Sequence, residues 1–416
     1  MSTELRTDPY AVLRIADFRL FILSRFCVTL AIQIQAMIVL WQVYELTHDP
    51  LMQGLIGLAE AIPSIIVSLY AGHLADIRPR KKIILVAITT LVLCSVALYY
   101  FTTNAGGFIL SYGVYPIYAV IFVSGVARGF MSPATFSFMP QLVPRELYRN
   151  AISWNSTFWE VASIGGPPLG GLIYSLMGIT SAYTLDAALM ISGLLLLAMV
   201  TNKPLPPAAV TDTQGTGEKI REGLRFVFGN KLILSAITLD LFAVLFGGAI
   251  ALLPNFADIV LHVGATGLGF LRAAPGVGAV LMAIYITHRP IRKHMGRILL
   301  LCVGGFGLCM ILFALSTNFW ISFFLLTMSG MFDCVSVIIR GTLLQTLTPE
   351  HMKGRVSAVN NIFIGSSNEI GAFESGSMAR LLGVVPSVIF GGAMTLITVA
   401  SVAWKSKSLR KLQNLE

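Results

Sequence analysis

The chain has 416 residues, of which 56% are hydrophobic and only 12% are charged. Soluble domains carry roughly twice that share of charged residues, so the composition excludes an ordinary soluble protein and indicates a chain that crosses a membrane repeatedly. The net charge of +9 would suit nucleic acid as a partner, which makes the distribution of the basic residues informative.

Twelve apolar runs are long enough to cross about 30 Å of hydrocarbon as α-helices. The predicted helices, numbered 1 to 12 in chain order, lie near 18–44, 51–71, 83–103, 113–138, 150–175, 181–201, 231–254, 266–287, 297–316, 319–343, 356–379 and 384–404. We therefore predict an all-α polytopic membrane protein.

The basic residues are concentrated on one side of the predicted membrane. Of the 29 Lys and Arg residues, 25 are assigned to the two tails, the start of helix 1 or the loops after even-numbered helices, and Arg340 is counted with the loop after helix 10. Cytoplasmic loops are enriched in Lys and Arg, so both termini are predicted to be cytoplasmic, and nucleic acid is excluded as a partner. The N-terminal tail carries acidic residues and lacks a small-residue cleavage site, which is typical of a mature tail rather than a signal peptide.

A change in composition divides the chain between helices 6 and 7. Residues 203–217 are rich in Pro, Thr and Gly, and residues 218–228 follow with a short amphipathic pattern. Such a segment is typical of a flexible linker followed by a helix at the membrane surface. We predict an N-terminal six-helix bundle at 1–202, a cytoplasmic linker with an amphipathic helix at 203–230, and a C-terminal six-helix bundle at 231–416.

The two halves resemble each other in sequence. A shift of 212 residues places 57–63 on 269–275, and a shift of 205 residues places 124–125 on 329–330. Because each half contains an even number of helices, the two repeats run parallel in the membrane. This duplication is typical of an alternating-access transporter whose substrate site lies between the halves.

The charged turn between helices 2 and 3 resembles the signature loop of the major facilitator superfamily. The matching pattern is Gly72-x-Leu74-Ala75-Asp76-x-Arg78-x-Arg80-Lys81. It departs from that loop at Ile77, where a basic residue is usual, and at Pro79, where glycine is usual. The resemblance implies that Gly72, Asp76, Arg78, Arg80 and Lys81 form a gating loop. In this loop, Asp76 would face the N-terminal end of helix 11 and form a latch that keeps the cytoplasmic side closed.

A second motif lies in helix 5, where Gly166-Pro167-x-x-Gly170-Gly171 resembles the antiporter motif of the same superfamily. Two interpretations remain open. These residues either form a seal between the halves or let a neighbouring helix pack closely. Residues 240–248 and 348–356 resemble the drug- and enterobactin-exporter branch, and the resemblance as a whole covers essentially the entire chain.

The resemblance implies a secondary active transporter that works by alternating access. It would export a medium-sized amphipathic or anionic molecule, such as a siderophore or a drug, in exchange for protons. Proton-coupled uptake of a small organic solute or siderophore is the alternative, since one fold serves both directions. We expect a monomer in the bacterial inner membrane, with lipid, protons and a small molecule as partners. The proton gradient, and no cofactor, would supply the energy.

Ionisable residues inside the predicted helices are the first candidates for the mechanism, because a charge within the bilayer is energetically expensive. Proton coupling requires a carboxylate that burial and a neighbouring Arg can move between its two protonation states. The candidates, in order, are Asp240 and Asp333, then Glu60, then Glu160. Asp186, near the outer end of helix 6, is interpreted as structural.

The repeat places charges of opposite sign at equivalent positions. Glu60 is equivalent to Arg272, and Arg128 is equivalent to Asp333. Such charges suit ion pairs that exchange partners between conformations. They suit equally well static pairs that hold the helices in register, and both interpretations remain open.

Candidates for the substrate cavity are charged, amide and aromatic side chains, several of them on helices 1, 4 and 7, which line the cavity in the superfamily. Together they suggest a wide, amphipathic pocket for a medium-sized molecule. They are Arg25, Gln33, Gln35, Arg128, Phe242, Phe246, Arg272 and Glu369.

Other classes of function find no support in the sequence. The five cysteines lie inside apolar runs without paired spacing, and the six histidines lie in loops or at helix ends, so no metal site or disulfide framework is predicted. The sequence has neither a phosphate-binding loop nor a Ser/His/Asp arrangement, which argues against an ATP-driven pump and against catalytic residues. The repeat and the signature loop argue against a channel or a receptor.

Overall fold

The computed structural model describes residues 10–103, 107–203, 216–289, 293–349 and 352–410. Within these ranges every long element is an α-helix and no strand occurs. The long helices are α1 (Ala16–Thr47), α2 (Pro50–Ile77), α3 (Arg80–Thr102), α4 (Tyr115–Phe138), α5 and α6 (together Tyr148–Met199), α7 (Lys231–Gly247), α8 (Gly264–His288), α9 (Met295–Leu315), α10 (Phe319–Leu347), α11 (Lys353–Leu382) and α12 (Val384–Lys405).

A single glycine separates α5 from α6. Gly178 has φ 81° and ψ 172°, a conformation outside the helical region that residues with side chains rarely adopt. We therefore assign residues 148–177 to α5 and residues 179–199 to α6. The sequence predicted both helices, but with a short loop between 175 and 181 where the structure has one residue.

The described helices confirm the predicted all-α membrane fold. Ten segments are long and apolar enough to cross a membrane, and one of them, Arg145–Met199, contains both α5 and α6. The remaining long helix, α11, is rich in Ser, Asn and Glu and is not among the ten. The described part of the chain thus contains twelve long helices.

Contacts divide the chain into two compact units. Unit 1 comprises Met1–Thr47 and Ala59–Thr211, and unit 2 comprises His48–Leu58 and Asp212–Glu416. The beginning of α2 therefore packs with unit 2, although the sequence places it within the first bundle. The predicted boundaries at 202 and 230 remain a prediction.

The core of unit 1 forms around α1. Phe18, Phe21 and Ile22 on α1 are buried, and the Phe21 ring meets Phe138 of α4 edge to face at 5.8 Å. The Ser24 hydroxyl donates a hydrogen bond of 2.6 Å to the carbonyl of Gly193, which joins α1 to α6. These contacts pack α1 closely against both α4 and α6.

The core of unit 2 contains α7, α9 and α10. Leu239, Leu299 and Leu343 are fully buried in one apolar cluster. The predicted amphipathic helix exists as Thr216–Gly229, and Val227 on it is buried against residues of α7 and α11. The polar linker predicted before it lies largely outside the described residues.

The chain after α7 is less regular than predicted. The sequence predicts one helix from 231 to 254, but α7 ends at Gly247 because Gly248 is extended, with φ −80° and ψ 98°. Two short turns and a π-helical turn at Phe256–Val260 follow. Adjacent glycines impose little resistance to this break, and Pro254 can begin the next turn because it needs no amide hydrogen there.

Candidate functional site

A tight helix crossing in unit 1 brings two opposite charges together. A Cβ atom on Gly125 of α4 would lie only 2.3 Å from the carbonyl oxygen of Glu60 on α2, so this approach requires glycine. One turn further along α4, the Arg128 guanidinium forms an ion pair with the Glu60 carboxylate. The two side chains are 35% and 22% exposed, so neither is sealed in the interior.

Unit 2 contains the equivalent crossing between α8 and α10. A Cβ atom on Gly330 would lie 1.9 Å from the carbonyl oxygen of Pro275. These residues correspond to Gly125 and Pro63 under the two repeat shifts, and a Cβ atom on Gly125 would likewise lie 2.9 Å from the Pro63 ring. The same two repeat positions therefore meet in each unit.

The charges beside the two crossings differ in their partners. In unit 1, Glu60 and Arg128 pair with each other. In unit 2, Glu369 is the carboxylate that acts on Arg272, and Arg340 is the cation that acts on Asp333. The exchange of partners between conformations stays a prediction.

An ionic cluster of one buried ion pair and one exposed carboxylate, Asp333, lies in unit 2. The Asp240 carboxylate on α7 and the Arg340 guanidinium on α10 form an ion pair, and each side chain is only 7% exposed. Asp333 lies two turns from Arg340 on the same face of α10 and acts electrostatically on Asp240. The three residues bring two carboxylates and one guanidinium together beside a small cleft that Phe306 and Phe332 also line.

Arg340 is a buried partner of Asp240 that is absent from the candidates chosen from the sequence. It was counted with a cytoplasmic loop, but it lies inside α10, seven residues before its end, and is 6% exposed. The count is wrong at this residue because Asp240, 100 residues away in sequence, supplies the opposite charge. The signal available was the spacing of seven between Asp333 and Arg340, which places both on one helix face.

Aromatic rings of α7 and α12 form a stack in unit 2. The rings of Phe242 and Phe246 are 6.0 Å apart and nearly parallel, at 9°. Phe246 also meets Phe390 edge to face, at 6.4 Å. Phe242 is 36% exposed, so its ring is available for contact with a ligand or lipid.

The other residues predicted for the cavity have different environments. Arg25 on α1 and Glu160 on α5 are half-buried, and the Gln33 amide donates a hydrogen bond of 3.3 Å to the Ser163 hydroxyl. Gln35 is buried within unit 1, and its place in a substrate cavity stays a prediction. It is 4% exposed, because its amide is engaged by groups of α3 and α6.

Glu369 on α11 contacts the N-terminal part of α2. A Cβ atom on Gly57 would lie 2.6 Å from its carboxylate oxygen, so the helices approach closely here. Because Glu369 also acts on Arg272, it joins α11 electrostatically to α8 within unit 2.

The helix 5 motif packs against α1 inside unit 1. Gly166, Pro167, Gly170 and Gly171 are all buried. A Cβ atom on Gly166 would lie 2.5 Å from the Cβ atom of Gln33, so the glycine permits the contact. The geometry supports the packing interpretation of this motif.

The described part of the gating loop binds helix ends. The Arg80 guanidinium donates a hydrogen bond of 2.9 Å to the carbonyl of Ser137, at the end of α4. The Lys81 ammonium donates to the carbonyls of Ala198 and Val200, at the end of α6. Cations suit these positions, because the last carbonyls of a helix lack partners and carry partial negative charge.

The other residues of the gating loop are Gly72, Asp76 and Arg78. Arg78 is exposed, and the surroundings of Gly72 and of the Asp76 side chain lie outside the described part of the chain. The latch predicted for Asp76 therefore stays a prediction.

The fold and the sequence both match known transporters. The chain is 27% identical to the enterobactin exporter EntS of Shigella dysenteriae serotype 1 over 384 residues, covering 91% of this chain and 89% of the relative. The figures are the same for EntS of Escherichia coli O1:K1.

Solved structures share the fold at lower identity. The POT family transporter PepTSo superposes with a TM-score of 0.72 at 12% identity, over 95% of this chain and 98% of that one. A bacterial homologue of the iron transporter ferroportin, in an inward-facing state, gives a TM-score of 0.69 at 17% identity, over 94% and 99% of the chains.

The family model described as transmembrane secretion effector matches residues 7–416, nearly the whole chain. This match agrees with the all-helical membrane fold and with the exporter relatives. The chain therefore belongs to the transmembrane secretion effector family of the major facilitator superfamily and is a transporter, not an enzyme.

Proposed function

We propose that this protein exports a siderophore or a similar medium-sized amphipathic or anionic molecule across the bacterial inner membrane, driven by protons. It works by alternating access, as a monomer with both termini in the cytoplasm and without a cofactor. The observation that carries the proposal is the buried ion pair of Asp240 and Arg340 with the exposed carboxylate of Asp333 beside it.

The charge balance of the cluster favours proton binding. Two carboxylates share one guanidinium, and Asp240 and Arg340 are buried whereas Asp333 is exposed, so the cluster is one positive charge short. A proton is the ion that can supply this charge without additional space. When Arg340 changes its distance to either carboxylate, the preference for the proton changes with it, and this links proton binding to conformation.

The substrate class follows from two observations. Relatives that match 91% of the chain are named as enterobactin exporters, which favours a siderophore. The stacked rings of Phe242 and Phe246 offer an apolar aromatic surface on α7, the helix that also carries Asp240, which suits a ligand with both aromatic and polar groups.

Transport by purified protein in liposomes tests the proposal. The protein is reconstituted in a known orientation, a pH gradient is imposed, and movement of enterobactin and of a panel of amphipathic drugs is followed. We expect the gradient to drive substrate out of the compartment that the termini face. Movement in the opposite direction would support uptake instead, and rates independent of the gradient would refute proton coupling.

Variants assign the coupling to the cluster. Asp240→Asn and Asp333→Asn should each abolish gradient-driven transport, while counterflow of substrate without a gradient persists. Glu146→Gln, which changes an exposed carboxylate before α5, is the matched control and should transport normally. If both Asn variants still exchange protons for substrate, the cluster is not the coupling site.

A further inference from the structure

A second buried carboxylate lies in unit 1, separate from the cluster of unit 2. Asp186 on α6 is completely buried. Its Oδ2 atom accepts a hydrogen bond of 3.0 Å from the Gln35 amide, and its Oδ1 atom has no hydrogen-bond partner among the described residues. The same amide donates a hydrogen bond of 3.2 Å to the Ser95 hydroxyl.

The groups that face Asp186 provide no positive charge. Gln35 comes from α1, Cys94 and Ser95 from α3, and Tyr183 from α6 itself. None of these side chains is a cation, and only Cys94 and Tyr183 can titrate. In the described part of unit 1, Asp186 therefore has hydrogen bonds from the Gln35 amide and the Ser95 hydroxyl but no counter-ion.

An ionised carboxylate is strongly disfavoured in such a place. A buried charge requires a partner of opposite sign or several hydrogen-bond donors, and an oxygen without a donor adds a further desolvation penalty. A bound proton removes the charge and retains the Gln35 hydrogen bond to Oδ2. The ligand that this site fits is therefore a proton.

Polar side chains lead from Asp186 to one end of α1. Tyr183 lies one turn before Asp186 on α6, and its hydroxyl donates a hydrogen bond of 2.6 Å to the side-chain oxygen of Gln42. Gln35, Gln42 and Glu45 share one face of α1, since they are seven and three residues apart. Glu45 is exposed at the end of this row.

The exposed end of the row is held in place by two donors. The Trp41 indole donates a hydrogen bond of 2.7 Å to Glu45 Oε1, and the Tyr174 hydroxyl of α5 donates to Oε2. In the other direction along this face of α1, Ala31 and Val28 are buried at 0% and 3% exposure and offer no polar group. The polar row is thus open at one end only.

We propose that Asp186 is a proton-binding site of unit 1, occupied in this conformation and connected to water only at the Glu45 end of α1. The proposal concerns a site outside the coupling cluster, and it does not depend on the substrate.

Infrared spectroscopy tests whether the proton is present. A protonated carboxyl group has a carbonyl band that ionised carboxylates lack and that shifts in D2O. In purified protein in lipid near neutral pH, wild type minus Asp186→Asn should show this band, and wild type minus Glu146→Gln should not. A wild-type spectrum without any band that depends on Asp186 would overturn the proposal.

A second variant keeps the test valid if Asp186→Asn fails to fold. Gln35→Met leaves Asp186 in place and removes its amide donor, while the Ser95 hydroxyl remains. The carbonyl band should then move to higher frequency, because the carboxyl group has lost one of its hydrogen-bond donors. A spectrum of Gln35→Met that equals the wild-type spectrum would refute the assignment.

The route of the proton is tested by the rate of the shift after transfer to D2O. Tyr183→Phe removes the hydroxyl between Asp186 and Gln42 and should slow the shift about tenfold, the factor expected for one lost hydrogen bond of ordinary strength. Tyr115→Phe, at an exposed position of α4, is the matched control and should not change the rate. An equal rate in Tyr183→Phe and wild type would exclude this route.

Discussion

Removing Arg340 should destabilise the protein more than removing any exposed arginine. Arg340 and Asp240 are each 7% exposed, so Arg340→Gln leaves the Asp240 carboxylate buried without its counter-ion, and Asp333 adds a repulsive charge. The loss of one partner of a buried ion pair costs about 3–5 kcal/mol. At roughly 2 °C per kcal/mol for a protein larger than a small domain, the unfolding temperature should fall by about 6–10 °C.

The chain's own cysteines provide the assay. Cys94, Cys302 and Cys309 are buried, so a thiol-reactive dye reports unfolding during a thermal ramp at one fixed rate. Arg297→Gln, at an exposed position at the start of α9, is the matched control and should shift the midpoint by about 1 °C or less.

A double variant separates the ion pair from general packing. In Asp240→Asn with Arg340→Gln both charges are absent, and neutral replacement of a buried pair is often tolerated. The double variant should therefore recover most of the loss caused by Arg340→Gln. If the two single losses simply add, or if Arg340→Gln melts like the wild type, the argument that Arg340 neutralises Asp240 is wrong.

Three further outcomes are expected, each read from the same thermal ramp. Gly330→Ala should destabilise by at least about 2 kcal/mol, because the new Cβ would lie 1.9 Å from a backbone oxygen, whereas Gly165→Ala, with no atom within 4 Å of its Cβ, should be near neutral. Equal midpoints for the two would contradict this. Lys81→Met should lower the free energy of unfolding by about 1 kcal/mol, since two carbonyls at the end of α6 lose a charged hydrogen-bond donor. An unchanged midpoint would show that water replaces the ammonium group. Arg380→Gln should change the free energy of unfolding by less than about 1 kcal/mol, because the ion pair with Asp49 is 3.5 Å long and the arginine is 56% exposed. A larger loss would show that the pair is more than a surface contact.

Helix positions could be predicted from the sequence because hydrophobic length is a strong, local signal. Predicted helix 12 at 384–404 and observed α12 at Val384–Lys405 differ by one residue. The break after Gly247 was missed, since the apolar run continues across it and composition does not report backbone conformation. Local chemistry at Gly247, Gly248 and Pro254 could have suggested it.

Partners of buried charges were harder to predict, because they depend on contacts between distant parts of the chain. Asp240 and Asp333 were found as ionisable residues in apolar helices, which any single sequence reveals. Arg340 was assigned to a loop, because the count of loop charges treats an arginine near the end of an apolar run as cytoplasmic. The hydrogen bond between Gln35 and Asp186 joins positions 151 residues apart, so the sequence does not reveal it, and the place of Gln35 in a substrate cavity stays a prediction.

The two repeats share the steric features of their helix crossings more closely than they share the arrangement of their charges. Pro63 with Gly125 and Pro275 with Gly330 form the same crossing in both units, and at such a distance only glycine fits, so each copy retains it. A charge has more freedom, since any arrangement that balances it satisfies the same physical requirement. Unit 1 balances Glu60 with Arg128 at the crossing, whereas unit 2 balances Asp240 with Arg340 and leaves a second carboxylate beside the pair. A balanced pair requires no further ion, and a cluster with one carboxylate in excess favours a proton. This difference is the physical reason to look for proton coupling first in unit 2.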